Sequence, residues 1–255
     1  MAGGSDVPVR WFAGRDGVEL AYREVGAGRP VVLIHGFFST ATVNWIQYGH
    51  AAAVAERGFR VIMPDLRGHG DSAKPHDPAA YPADVLADDG FALLDHLGLT
   101  DYDLGGYSLG ARTTARMLVR GAAPGRAVLA GMGKDGIVHG ADRGGTFRHI
   151  LTHLGTFERG SAEWKAERFL RAMRGDPEAM LNVLNASVDT PEEALRAITV
   201  PTLVVGGADD DRAGVPAELA GLLANATPAT VPGDHMSAVA KPDLGRVIAG
   251  FLATR

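Results

Sequence analysis

The chain has 255 residues, 46% of them hydrophobic, enough to bury the core of one large α/β domain. A formal net charge of −5, with 22% charged residues spread along the chain, leaves no basic stripe for nucleic acid and favours a small neutral or organic partner. The absence of cysteine excludes disulfides, thiolate metal sites and a cysteine nucleophile.

Met1 to Gly17 lacks a basic start followed by an apolar run, and no apolar stretch approaches the roughly 20 residues that cross a bilayer. A soluble, cytoplasmic protein with no membrane partner is expected. Val9–Phe12 and Val18–Arg23 flank Arg15-Asp16-Gly17, and Asp-Gly between two strand-like runs predicts an antiparallel hairpin. Short continuous apolar runs follow at Val31–Ile34, Phe59–Met63, Tyr102–Tyr107, Ala127–Ala130 and Thr202–Val205. Helix-like segments separate them at Val43–Arg57, Pro82–Leu97 and Leu109–Arg120, and more follow at Ala213–Ala224 and Ala238–Leu252. This rhythm predicts parallel strands buried on both faces with crossover helices between them.

From about Met132 to Ile198 the rhythm breaks, because helix signals continue without a strand. The expectation is a core of residues 1–131 and 199–255 with a helical lid inserted over 132–198. Inside it, Asp176-Pro177-Glu178 and Thr190-Pro191-Glu192-Glu193 each place a capping residue before a proline at the first helical position, and Glu193 completes a capping box. Arg159–Arg174 interleaves arginine with Glu158, Glu163 and Glu167, which reads as a solvated helix face. His149 and His153 have the i,i+4 spacing of a zinc pair, but no intervening glutamate and no third ligand accompany them, so no metal is expected.

Gly106-Tyr107-Ser108-Leu109-Gly110 lies between the third of the buried apolar runs and a helix-like stretch. A serine at a sharp strand-to-helix turn tolerates no bulky neighbours, and the flanking glycines let the two backbone arms pass closely. Ser108 is therefore the candidate nucleophile, with the Leu109 N–H aimed at an oxyanion. A serine hydroxyl needs a base and an acid that orients the base. His235 follows the strand-like Ala229–Val231, and Asp209, Asp210 and Asp211 follow Thr202–Val205, so all would lie at the carboxyl ends of strands, where open α/β sheets bind ligands.

With His35-Gly36, Asp65-Leu66-Arg67-Gly68-His69-Gly70-Asp71-Ser72, Gly106 to Gly110 and the late Asp and His motifs in this order, the chain resembles the α/β-hydrolase superfamily from about Val31 to Met236. The resemblance implies a mostly parallel sheet of about eight strands with helices on both faces and a helical lid. It implies Phe37 as the second oxyanion donor, and His35 and His69 as braces of their loops. The family's acid stands three residues after a strand-ending glycine. Counting from Gly207 gives Asp210, the preferred reading, and counting from Gly206 gives Asp209. Phe38, Tyr107 and Met236 are expected to contact substrate, with Phe37 and Phe38 crowding the mouth above Ser108.

A serine nucleophile sets aside the branches of the family that attack with aspartate. The default expectation is hydrolysis of small to medium carboxylic esters through an acyl-enzyme, with no cofactor. The same machinery in the family also serves carbon–carbon bond hydrolysis, lactone opening and cofactor-free perhydrolysis, and some members act as ligand receptors with slow chemistry. Nothing in the sequence speaks to oligomeric state.

Overall fold

In a computed structural model, which describes residues 7–141, 144–211 and 214–254, the Arg15-Asp16-Gly17 turn folds β1 (Arg10–Ala13) antiparallel onto β2 (Glu19–Gly26). β2 pairs antiparallel with β4 (Phe59–Pro64), and every later pairing is parallel. These involve β3 (Arg29–Ile34), β5 (Asp103–Tyr107), β6 (Ala127–Ala130), β7 (Thr202–Gly207) and β8 (Ala226–Val231). The eight strands run in the order β1-β2-β4-β3-β5-β6-β7-β8.

The unbroken apolar runs are explained by burial on both faces. In β3, Val31 and Leu33 join one cluster with α1 (His50–Ala55) and α10 (Pro242–Leu252), whereas Val32 and Ile34 join the opposite cluster with α2 (Val85–His96). Helix α3 (Leu109–Val119) packs beside α2 and runs directly from β5. α9 (Pro216–Ala220) is short.

Two helices depart from expectation. Val43–Arg57 is not continuous: a π-helical turn over Thr42–Ile46, closed by Gln47 N–H to the Thr42 carbonyl, is followed by Gly49 at φ 79°, a left-handed residue that ends one helix and starts α1. The expected Ala213–Ala224 helix is confined to Pro216–Ala220, proline standing at its first position, and Ala213 itself lies outside the described residues.

Between β6 and β7 the described residues hold helices and no strand: α4 (Lys134–Val138), α5 (Gly145–Thr152), α6 (Ala162–Ala172), α7 (Pro177–Asn185) and α8 (Glu192–Arg196). Asp176 caps α7 as its spacing predicted, accepting from the Glu178 and Ala179 amides. The expected box at Thr190 is not formed. Pro191 occupies the cap position without a side-chain bond, and the Thr190 hydroxyl is buried with no partner among the described residues. Helix α3 fastens this segment, since Arg112 donates to the Gly136 and Gly140 carbonyls and Arg116 to the Asp189 carbonyl. Among the described residues no helix is long and apolar enough to cross a membrane.

Candidate active site

The turn from β5 into α3 is as tight as its sequence demands. A Cβ on Gly106 would lie 2.3 Å from the Gly110 carbonyl, and one on Gly110 would lie 2.1 Å from the Ile34 oxygen, so only glycine lets strand and helix cross there. Ser108 is held at φ 54°, ψ −112°, a conformation no unconstrained serine prefers. Its amide is fixed by the Ala130 carbonyl at 2.8 Å, which leaves the hydroxyl at the sheet's carboxyl edge.

The sheet then brings the distant residues to it. β7 pairs with β8 in a register that sets Gly207 opposite Val231, so the loops carrying Asp210 and His235 leave the sheet side by side. They are cross-tied, the Asp209 amide donating to the Gly233 carbonyl at 3.0 Å. His235 Nδ1 lies 2.9 Å from Asp210 Oδ2, and His235 Nε2 lies 3.1 Å from Ser108 Oγ. Of the neighbouring aspartates only Asp210 has this contact. It is 7% exposed, whereas Asp209 and Asp211 face solvent. A carboxylate accepting from Nδ1–H leaves Nε2 free to accept the serine proton.

On the other side of Ser108, β3 ends in register with β5, Ile34 opposite Gly106, and delivers the His35-Gly36-Phe37-Phe38 loop. Gly36 rests against Ser108, for a Cβ added there would be 3.3 Å from Ser108 Cβ. A turn closed by Ser39 N–H to the Gly36 carbonyl places Phe37 and Phe38 at its centre. Among the described residues neither the Phe37 amide nor the Leu109 amide has a protein acceptor. Two free N–H groups beside a serine are suited to a developing oxyanion.

The loop is built from behind. Leu66 N–H donates to His35 Nε2 at 3.0 Å, which puts the ring's proton on Nδ1, where it reaches the Gly36 carbonyl at 2.8 Å. The Gly36 amide donates to Asn44 Oδ1 at 3.0 Å. Complete burial pushes the His35 imidazolium down to about 4, and burial with the adjacent His35 ring pushes His69 down to about 3, so both braces are neutral. Asn44 carried no sequence signal, since its role depends on a fold that returns it to Gly36.

Phe38 is a correction. It is 2% exposed and sits at φ 60°, inside a cluster with Ile150, Leu151, Leu170 and Met180, so its ring anchors the loop from within the helical segment and does not line an open mouth. A left-handed phenylalanine costs on the order of 1–3 kcal/mol, and full burial of the ring, about 1.5–3 kcal/mol, offsets it. Phe37 is half-buried and forms the actual roof, stacked on Phe38 at 4.6 Å and met edge-on by Phe147 of α5 at 5.0 Å. Tyr107 is a second correction: it is buried, and its hydroxyl is taken up by the His235 carbonyl. Met236 is 53% exposed on the rim beside His235.

His149 and His153 stack at 4.4 Å, and His153 Nδ1 is held by the His149 carbonyl and the Thr152 hydroxyl. Among the described residues no three His, Cys, Asp or Glu side chains are grouped to hold a metal.

A serine on a strand-to-helix elbow, served by a histidine and an aspartate from the last two strands of a mostly parallel sheet, defines a hydrolase-type architecture. Comparison with known proteins agrees. The family model of the alpha/beta hydrolase fold matches residues 29–126. A non-heme haloperoxidase of Rhodococcus erythropolis is 30% identical over 228 residues, 76% of this chain and 80% of that protein. Non-heme chloroperoxidase CPO-A1 of Kitasatospora aureofaciens is 41% identical over 111 residues, which span 42% of this chain and only 37% of that relative. The crystal structure of esterase RhEst1 from Rhodococcus sp. ECU1013 superposes with a TM-score of 0.73 at 25% identity, covering 96% of this chain and 98% of that one. The chain belongs to the α/β-hydrolase superfamily.

Proposed function

We propose that the protein is a serine hydrolase that cleaves carboxylic esters of small to medium acyl and alcohol groups. The observation that carries this reading is the continuous contact Asp210–His235–Ser108 at 2.9 and 3.1 Å. Ser108 Oγ attacks the ester carbonyl as His235 Nε2 takes its proton, and the Phe37 and Leu109 amides donate to the oxyanion. Collapse expels the alcohol, which receives the proton from His235. Water then attacks the acyl-enzyme, passing a proton to His235 and returning Ser108 to its hydroxyl form. Asp210 keeps the imidazole in the required tautomer and stabilises its charged form. Residues 132–198 act as the lid over this centre, and no cofactor takes part.

A second reading is favoured by the haloperoxidase relatives: hydrogen peroxide replaces water in the second step and leaves as a peracid. It uses the same serine, histidine and aspartate. Lactone opening, carbon–carbon bond hydrolysis and a slow receptor-like role have no observation of their own in their favour.

The test is treatment with an aryl organophosphonate followed by mass spectrometry, with phenyl butyrate turnover in parallel. The expected result is a single adduct on Ser108 and loss of turnover in proportion. An adduct elsewhere, or turnover that survives complete labelling, defeats the proposal. Peracid formation from acetic acid and hydrogen peroxide outpacing ester hydrolysis would establish the second reading.

A further inference from the structure

Tyr107 immediately precedes the nucleophile, yet its side chain leads away from Ser108 toward the loop of the base. It ends β5, is 4% exposed, and packs among Val128, Ala130, Val205 and Ala238. The ring lies over Gly131, where an added Cβ would sit 2.5 Å from Cζ, so its position is set by backbone on one side. From there the hydroxyl crosses the ends of β6 and β7 and donates to the His235 carbonyl at 2.6 Å, while its ring centre stands 5.5 Å from the imidazole.

The rest of the His235 loop is tied locally and to α1, where His50 Nε2 lies 2.6 Å from the Val239 carbonyl. Asp234 accepts from the Met236 and Ser237 amides and the Ser237 hydroxyl, contacts that shape the turn without connecting it to β5. The Asp209 amide on the Gly233 carbonyl connects it to the neighbouring β7 loop, which carries the acid and not the nucleophile. Among the described residues, only the Tyr107 hydroxyl makes a hydrogen bond that joins the backbone of the base to the strand bearing the nucleophile, apart from the Ser108–His235 contact itself. Burial, with Asp210 and Asp234 nearby, pushes the phenol's ionisation above the usual tyrosine range, so it remains a donor wherever the enzyme works.

We infer that Tyr107 is a positioning residue, whose hydroxyl sets the reach of His235 Nε2 to Ser108 Oγ by holding the His235 carbonyl. The inference rests on the proposed nucleophilic role of Ser108. Proton transfer falls off steeply with misplacement of the base, and a shift of about 1 Å costs on the order of 10²-fold. Loss of one brace should permit a fraction of that shift.

The experiment compares the wild-type chain with Tyr107→Phe, which removes one oxygen and keeps the ring. The rate constant for phosphonylation of Ser108 by an aryl fluorophosphonate is measured first, because it requires no knowledge of the natural substrate. It should fall about tenfold, and kcat on phenyl butyrate should fall similarly while KM stays within about twofold. The same substitution is then made in a His235→Ala background. A residue acting through His235 has nothing left to position there, so the tenfold ratio should collapse to near one. A purely structural defect would lower both backgrounds alike, and that result, or equal labelling rates for wild type and Tyr107→Phe, overturns the inference alone. Failure of the wild-type chain to label at Ser108 overturns the proposed function and this inference with it.

Discussion

The floor and the roof of the proposed reaction centre are made in different ways. The floor, comprising Ser108, the Phe37 loop, His235 and Asp210, is fixed by backbone: register between strands, glycines in contact with carbonyls, and neutral histidines bonded to main chain. The roof is a side-chain assembly in which Phe37 stacks on the buried Phe38 and meets Phe147, with Ile150, Leu170 and Met180 packed behind them. Backbone placement has few solutions and suits chemistry that must be accurate to tenths of an ångström. Side-chain packing tolerates volume changes at modest cost and suits specificity.

The floor should therefore fail abruptly. Ser108→Ala is expected to lower kcat by about 10³-fold or more while the protein still folds, because only a hydroxyl is lost. Steady-state turnover of phenyl butyrate together with thermal melting checks this, and near-normal turnover would break the assignment of the floor to catalysis.

The braces of the floor should show themselves in pH-dependent stability. In the folded protein His35 and His69 hold no proton until about pH 4 and 3, whereas an unfolded imidazole takes one up below about 6.5. As pH falls from 6.5 the unfolded state binds more protons, so stability is full at neutral pH and declines by about 1.4 kcal/mol per pH unit for each histidine. Urea unfolding at pH 7.5 and 5.0 measures the slope. His69→Phe should reduce it by about one histidine's share, and an unchanged slope would show that the ring does not stay neutral when buried.

The roof should respond by degree. Phe147→Ala removes the edge-on contact to Phe37 and Phe38, at a stability cost of about 1–3 kcal/mol for a half-buried ring. In the wild type, crowding by Phe37 should leave tert-butyl acetate and emulsified triolein poor substrates beside phenyl butyrate. The variant should raise the rate on tert-butyl acetate relative to phenyl butyrate by about tenfold, the scale that one small change in an apolar pocket commands. If the ratio of initial rates does not move, the roof is not where alcohol size is read.

The same contrast explains what the sequence made legible. The elbow, the parallel strands and the order of Ser108, Asp210 and His235 were readable because each is a local pattern: glycine spacing, a buried apolar run, a polar residue just past a strand. Phe38 was misread because its aromatic character says nothing of the positive φ that turns it inward. Tyr107 was misread because a residue next to the nucleophile can point to either side of the sheet. Asn44 was missed because its partner is an amide eight positions away, reached only because a π-helical turn carries Asn44 back to it. Thr190 has the capping pattern without the cap, tertiary packing having buried the hydroxyl.

The smallest effect expected lies where roof meets core. His76, on the chain after β4, has Nε2 2.8 Å from Asp176 Oδ2 and Nδ1 3.1 Å from Glu178 Oε2, both at the start of α7, while Asn182 of the same helix donates to the His76 carbonyl at 3.0 Å. Lys74 and Arg174 line the same groove and add positive charge around the ring. Two carboxylates facing the two ring nitrogens can be satisfied only by the imidazolium, and the bond to Asp176 accordingly raises the His76 proton affinity above the usual value of 6.5. A folded pKa raised above the unfolded one means that the clasp is complete below about 6.5 and is lost as pH rises through the higher folded value. The ring is 53% exposed, so salt should weaken the contact, and the global melting point should barely change. Amide hydrogen exchange in the first turn of α7 is the sensitive readout, corrected for the intrinsic pH dependence of exchange. In low salt the wild type should exchange faster at pH 8.5 than at pH 6.0, and His76→Gln should remove that difference. Equal protection at both pH values in the wild type would mean that the Asn182 contact and packing alone hold α7 to the core, and that this edge of the roof carries no charge-dependent fastening.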